Sequence, residues 1–245
     1  MGANTENAVL NQVKENVDAL FSSAGVANCE NLTQIFEQRV VNNPEDKDLV
    51  KKTYNLLSAN KCQSSEFFRM VAENLYGKEP SASLAHELAK LFDDIDAYDA
   101  AEQYYKNAIE LECDSIRKSA YLFEYASMAF NKKHKSQESR SLALRALAHN
   151  PGLGHAYILI GNIYANERNC FSDDFQKKTV YWAAVDKYIR AKQVDPSLES
   201  ECNRLIEAYS HYFPAQNDVF FQDLHLGDRY TVGCWINEVT TVRAR

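Results

Sequence analysis

The stretch that decides the fold is Ser127–Pro151, SMAFNKKHKSQESRSLALRALAHNP, because the spacing of its small and aromatic residues occurs twice. Successive intervals of three, nine, four, three and five residues separate Ser127, Phe130, Ser139, Ala143, Ala146 and Pro151. The same intervals separate Ala89, Phe92, Ala101, Tyr105, Ala108 and Cys113. Antiparallel helices pack closely where small side chains let their backbones approach and aromatic side chains fill the neighbouring gaps. The spacing therefore predicts a repeated pair of helices.

This spacing resembles that of the tetratricopeptide repeat (TPR), and weaker copies flank the two clear ones. The predicted units span residues 7–44, 45–81, 82–115, 116–153 and 154–196, followed by an amphipathic capping helix over 197–212. The expected fold class is thus all-α, a right-handed α-solenoid of about five helical pairs. Residues 213–245 contain clustered aromatic and β-branched residues without helical periodicity. They predict an irregular or β-like C-terminal tail that packs on the repeat domain of residues 1–212.

Three of the eight glycines fall within ten residues, at positions 152, 154 and 161. A nucleotide-binding GxGxxG motif would need a third glycine at the position of Tyr157 and a preceding strand. The glycines instead indicate a boundary between two units. We expect Gly154 to let the chain turn and Gly161 to be the small residue where two helices meet.

Composition excludes several classes of function. The net charge of −7 and the pI near 5.4 disfavour nucleic-acid binding, which depends on a basic surface. No apolar run approaches the roughly 20 residues of a membrane-spanning helix, so membrane insertion is not expected. The acidic run 93–99 lacks the glycine and glutamate of a calcium loop, and Lys90 stands where an HExxH motif needs its second histidine. We expect no metal and no cofactor.

Three segments carry a more specific resemblance: YILIGNIYA (157–165), KKTVYWAAVDKYIRAKQVDPS (177–197) and GDRYTVGCWINEVTTVR (227–243). Together with the repeats, they make the chain resemble exported bacterial TPR proteins of unassigned role, from about Cys29 onward. The resemblance implies a C-terminal portion of a longer protein, exported to the periplasm, with the signal peptide outside this sequence. A cytoplasmic location is the alternative.

The resemblance also implies that the inner faces of the first helices of each unit bind a protein or peptide. The residues expected on this concave face are His86, Glu87, Lys90, Tyr121, Glu124, Tyr125, Met128, His155, Leu159 and Asn162. Because the face offers two glutamates and only one lysine, it does not match the carboxylate-binding clamp of chaperone-associated TPR proteins. Tyr121, Tyr125 and His155 would anchor an extended peptide, unless the tyrosines are packing residues or the tail covers this face.

The six cysteines include no CxxC motif, which disfavours a zinc site. In an exported protein, a disulfide between Cys170 and Cys234 would tie the tail to the last repeat, and one between Cys29 and Cys62 would join the first two units. Free thiols are the alternative.

The predicted function is a non-enzymatic interaction module or scaffold, because repeat stacks expose extended surfaces rather than one deep pocket. No catalytic residues are expected: Cys202 and His211 are separated by nine residues on one helix, about 13 Å, which exceeds hydrogen-bonding distance. The alternative is a small-ligand or glycan-binding accessory of a cell-envelope uptake system. In that alternative, Trp182, Trp235 and Tyr230 would stack on the ligand.

Overall fold

The computed structural model of the protein describes residues 28–245, so the front part of the predicted unit 7–44 lies outside it. Helices account for most of this range. In chain order they are α1 (Cys29–Asn42), α2 (Lys47–Ala59), α3 (Glu66–Lys78), α4 (Ala82–Asp94), α5 (Tyr98–Leu111), α6 (Ser115–Asn131), α7 (Ser136–His149), α8 (Gly154–Asn166), α9 (Asp174–Val194), α10 (Glu199–Ser210) and α11 (Gln216–Phe221). The predicted all-α helical-repeat fold is confirmed.

The chain divides into two compact units between Asn107 and Ala108, within α5. In the first unit, α2 packs on α3. In the second, α6 packs on α7 and α8 packs on α9. The helices of each unit thus associate in pairs that are consecutive in the sequence.

Polar side chains define where helices of the first unit begin. Asn28, Asp46, Ser65 and Ser81 each precede a helix and accept a hydrogen bond from the backbone N–H three residues later. Each cap satisfies an N–H group that the helix leaves without an internal partner. The helices enclose fully buried apolar side chains, which include Leu32, Val50, Leu57, Phe68, Val71, Ala72 and Leu88.

Small residues of the repeat pattern lie where α6 and α7 meet. Ala143 and Ala146 are fully buried. The hydroxyl of Ser139 donates to the carbonyl of Ala126 at 2.7 Å, and the hydroxyl of Ser119 donates to the carbonyl of Ala146 at 2.9 Å. These bonds join the two helices directly, which requires the close backbone approach that the spacing predicted.

The glycines of α8 serve close packing. A β-carbon at Gly161 would lie 2.4 Å from Cε1 of Tyr188, so the prediction that two helices meet at this glycine is confirmed. The prediction for Gly154 is wrong, because this residue begins α8 rather than forming a turn with positive φ. A β-carbon there would lie 2.6 Å from Cδ1 of Leu198, so the position needs glycine for lack of space.

A short turn connects α8 to the long helix α9. Residues Glu167–Cys170 form a 3-10 helix, and Asp173 then caps α9 by accepting a hydrogen bond from the N–H of Gln176 at 2.8 Å. After α9, Pro196–Leu198 form a second 3-10 helix that leads into α10. The predicted capping helix over 197–212 therefore has a 3-10 start and a shorter α-helical part.

The tail contains more structure than the sequence predicts. Helix α11 precedes an antiparallel hairpin of β1 (Arg229–Val232) and β2 (Glu238–Thr241), in which Arg229 pairs with Thr241 and Val232 with Glu238. Both strands contact α9. The apolar tail side chains buried in the second unit include Phe213, Val219, Val232, Ile236 and Val242. The tail therefore completes the core of this unit.

Candidate functional site

In the first unit, the predicted face lies on α4. Lys90 is exposed, whereas His86 and Glu87 are half-buried. The Glu87 carboxylate accepts a hydrogen bond from the hydroxyl of Tyr54 on α2. Burial and this carboxylate both raise the pKa of Tyr54 above its ordinary value. The hydrogen bond holds Glu87 against α2, so Lys90 is the most accessible of the three.

In the second unit, four of the predicted peptide contacts are buried: Tyr121, Tyr125, Met128 and Leu159. The hydroxyl of Tyr125 donates to Glu138 at 2.6 Å, so even its polar end is directed at a neighbouring helix. These residues lie on the sides of α6 and α8 that pack against other helices. Their burial favours the alternative that Tyr121 and Tyr125 are packing residues, whereas peptide binding by these four residues stays a prediction.

The remaining predicted residues of this unit differ in accessibility. His155 is exposed, Glu124 is half-buried, and Asn162 accepts a hydrogen bond from the hydroxyl of Tyr188 at 2.9 Å. The centre of the His155 ring lies 6.3 Å from that of Phe123, a residue outside the predicted concave face. The structure thus brings α6 and α8 together at Phe123 and His155.

Phe123 belongs to a stripe along α6 that continues to Ile116. Ile116 is 59% exposed, Ala120 is exposed, and Phe123 is half-buried. We refer to Ile116, Ala120, Phe123, Glu124 and His155 as the α6/α8 face. Its apolar members on α6 recur at intervals of four and three residues, a spacing visible in the sequence. This face is an accessible apolar strip with one carboxylate and one imidazole.

The tail is anchored to the second unit by Glu238 of β2. One carboxylate oxygen accepts hydrogen bonds from the hydroxyl of Tyr164 at 2.7 Å and from Nη2 of Arg140 at 3.0 Å. The other accepts from Nζ of Lys187 at 3.0 Å. Burial raises the pKa of Glu238, but the Tyr164 hydrogen bond and the cations outweigh it, so the pKa lies below its ordinary value. Glu238 is therefore held as an anion between three helices.

A second anchor joins the end of β2 to α9. Asp186 accepts a hydrogen bond from the hydroxyl of Thr240 at 2.5 Å and forms an ion pair with Arg243. Nearer the start of α9, Lys178 forms an ion pair with Asp218 of α11 at 2.9 Å. All three contacts bind the tail to one helix, consistent with a structural role.

The three aromatic residues predicted to stack on a ligand, Trp182, Trp235 and Tyr230, do not form an exposed aromatic surface. Trp182 is fully buried, and its ring lies 5.3 Å from Tyr230 and 5.9 Å from Phe175 in edge-to-face arrangements. Trp235 is half-buried and donates its indole N–H to Glu167 at 3.3 Å. The prediction is wrong for Trp182, because its side chain is fully buried and has no surface open to a ligand.

Of the two predicted disulfides, one is formed and the other is not. Cys29 and Cys62 are joined in a disulfide with their Cα atoms 5.4 Å apart. Cys170 and Cys234 are free thiols on the surface, hydrogen-bonded to each other. Burial, together with the Cys234 hydrogen bond, raises the pKa of Cys170 to about 12. The second pair is therefore adjacent but unbridged.

Two properties of residues 28–245 concern metal binding and membrane insertion. Within this range, no three or more His, Cys, Asp or Glu side chains are grouped closely enough to hold a metal ion. None of the helices in the same range combines the length and hydrophobicity that crossing a membrane requires.

Comparison with solved structures places the architecture among helical-repeat proteins. Two crystal structures of MamA match with TM-scores of 0.54, at 13% and 12% identity, covering 77% and 75% of this chain and 93% and 97% of theirs. YrrB, described as a TPR protein with an unusual peptide-binding site, matches with a TM-score of 0.50 at 15% identity, covering 72% of this chain and 82% of its own. No protein-family model and no curated protein matches the sequence. The chain therefore shares the helical-repeat fold of TPR proteins such as YrrB.

Proposed function

We propose that the protein is a non-enzymatic interaction module that binds an extended peptide segment on the α6/α8 face. The observation that carries this proposal is the accessible apolar strip from Ile116 to Phe123 on α6, a helix that also contributes buried residues such as Leu122 and Tyr125. Exposed apolar surface of this kind is typical of binding sites. The fold shared with YrrB, described as having a peptide-binding site, supports the same function.

The dimensions and charge of the face indicate the kind of segment. From Ile116 to Glu124 the helix rises about 12 Å, the length of about four residues of extended peptide. Ile116 and Phe123 would contact apolar side chains at the two ends of such a segment. Because Glu124 contributes negative charge beside Phe123, we expect a basic residue next to the second apolar anchor.

The disulfide between Cys29 and Cys62 supports a second part of the proposal, that the protein is exported. Disulfides persist in oxidising compartments and are rare where glutathione keeps thiols reduced. Fractionation of the native source would test the location, with recovery in the cytoplasm contradicting it.

Selection from a random peptide library tests the binding proposal. The full chain should enrich basic, apolar peptides, and the double variant Phe123→Asp and His155→Asp should bind them at least about tenfold more weakly. Leu144→Asp on α7 is the matched control, since Leu144 is also an exposed apolar residue, at 41%. Equal binding to both variants, or no enriched peptide, would show that the face does not bind peptides.

A further inference from the structure

A cleft in the second unit lies away from the α6/α8 face. It has a volume of about 510 Å³ and is formed by the 3-10 helix after α8, the first turns of α9 and the chain after α10. This volume is within the range of about 300–1,000 Å³ typical of small-molecule sites. The cleft could therefore hold a ligand of sugar size.

The charges lining this cleft are opposite in sign to the charge of the whole chain. Its cationic side chains are Arg168, Lys177, Lys178 and Arg245, against one acidic side chain, Asp174. The chain as a whole carries a net charge of −7. A recess lined by one sign of charge concentrates the field of those charges and attracts the opposite ion.

Two of these cations are available to an anion. Across residues 28–245, Arg168 has no acidic partner within ion-pair distance. Lys177 contacts Asp174 at 2.7 Å, but the Asp174 side chain is 89% exposed, and exposed pairs exchange readily for other partners. Lys178 is already neutralised by Asp218. Arg168 and Lys177 are thus the residues that would hold the anion.

Aromatic rings form another wall of the cleft. Tyr181 and Tyr212 stack with their ring centres 5.1 Å apart, and Tyr209 stacks on Tyr181 with a distance of 5.8 Å between ring centres. Tyr181 is buried, whereas Tyr212 is 55% exposed. The stack fixes Tyr212 in place and leaves part of its ring accessible. A ligand ring could pack against it.

We propose that this cleft binds a small anionic ligand in which a phosphate or carboxylate is carried on a sugar-like ring. The anion contacts the guanidinium of Arg168, which can donate two hydrogen bonds to it, and the ammonium of Lys177. The ring packs against Tyr212. This site is independent of the proposed peptide-binding face.

Calorimetric titration of the full chain with four probes tests the proposal: glucose 6-phosphate, glucuronate, glucose and inorganic phosphate. At least one ring-bearing anion should bind with a Kd tighter than about 1 mM, and about tenfold tighter than glucose or inorganic phosphate. The first two probes distinguish a phosphate from a carboxylate ligand. Absence of binding by both would overturn the proposal.

Variants assign the binding to the cleft. Arg168→Ala with Lys177→Ala should weaken binding of the ring-bearing anion at least about tenfold, whereas Tyr212→Ala should reduce it to the level of inorganic phosphate. The control is the double variant Arg204→Ala with Lys192→Ala, which removes two cations elsewhere in this unit. It should leave the affinity for the ring-bearing anion unchanged. Equal affinities in the two double variants would show that the anion binds outside the cleft.

Discussion

At the scale of single residues, Glu238 of the tail accepts hydrogen bonds from three side chains of the helices, Tyr164, Arg140 and Lys187. Glu238→Gln removes the anion and leaves Arg140 and Lys187 together without a counter-charge. We expect the free energy of unfolding to fall by about 1–3 kcal/mol, since the group is partly solvated and its interactions are screened. Urea unfolding measures this change. Asp174→Asn, which removes an exposed carboxylate from its lysine, should change the stability little.

The lowered pKa of Glu238 also predicts that the free energy of unfolding depends on pH. Because its pKa is lowered in the folded state, the stability it contributes is present above the ordinary value of 4.5 and is lost as the pH falls through the folded pKa. The stability difference between the wild type and Glu238→Gln should therefore shrink on acidification below pH 4.5. A difference that stayed constant would mean that the charge of Glu238 does not stabilise the folded state.

Substitution of Gly161 tests how closely α8 and α9 pack. Gly161→Ala places a methyl group against the buried ring of Tyr188, so we expect a loss of about 1–3 kcal/mol in thermal or urea unfolding. Gly77→Ala in α3 is the control, because nothing lies within 4 Å of the added β-carbon. That substitution should stabilise the protein by up to about 1 kcal/mol, since alanine favours helix. Similar effects at both positions would contradict tight packing at Gly161.

At the scale of elements, the Cys29–Cys62 disulfide joins α1 to the segment between α2 and α3. It closes a loop with a sequence separation of 33, so reduction or Cys62→Ser should lower the free energy of unfolding by about 3–4 kcal/mol. Unfolding with and without reductant measures the effect. Cys113→Ser, at an exposed free thiol, should not change it. Reductant-insensitive unfolding of the wild type would contradict the bridge.

The other cysteine pair connects the 3-10 helix Glu167–Cys170 to the tail. We expect oxidised glutathione to convert Cys170 and Cys234 to a disulfide: their two S–H bonds break, the S–S bond forms, and the glutathione disulfide takes up the two electrons and two protons to become two thiols. Because the pKa of Cys170 is raised to about 12, the reaction should be slow at neutral pH and faster in alkali. Mass spectrometry after alkylation follows it, with Cys170→Ser as the control. Alkylation of both thiols after prolonged oxidation in alkali would contradict the pairing.

At the scale of the whole molecule, the tail belongs to the core of the second unit. A chain truncated after Tyr212 loses Trp235 and uncovers Trp182, so its tryptophan fluorescence should shift to longer wavelength. The control is full-length Trp235→Phe, in which Trp182 is also the only tryptophan and remains buried. Identical emission from the two proteins would contradict a tail that covers Trp182.

The helical pairs could be predicted from the sequence because their signals are local. Ala143 and Ala146 lie within one turn of each other on one helix, and Gly161 and Tyr188 face each other across two consecutive helices. Their intervals therefore appear directly in the chain. Accessibility was not predictable in this way, because the repeat pattern does not separate Tyr125, which is buried, from Phe123, which is half-buried.

What the sequence by itself determined is the class of fold, through short-range spacing of small and aromatic residues. Only the tertiary structure decided where the tail lies and which face stays open. The contact between Arg140 and Glu238 joins residues 98 positions apart, and the cleft at Tyr212 collects side chains from separate elements. Such contacts follow from the packing of whole elements, so no periodicity within the chain records them.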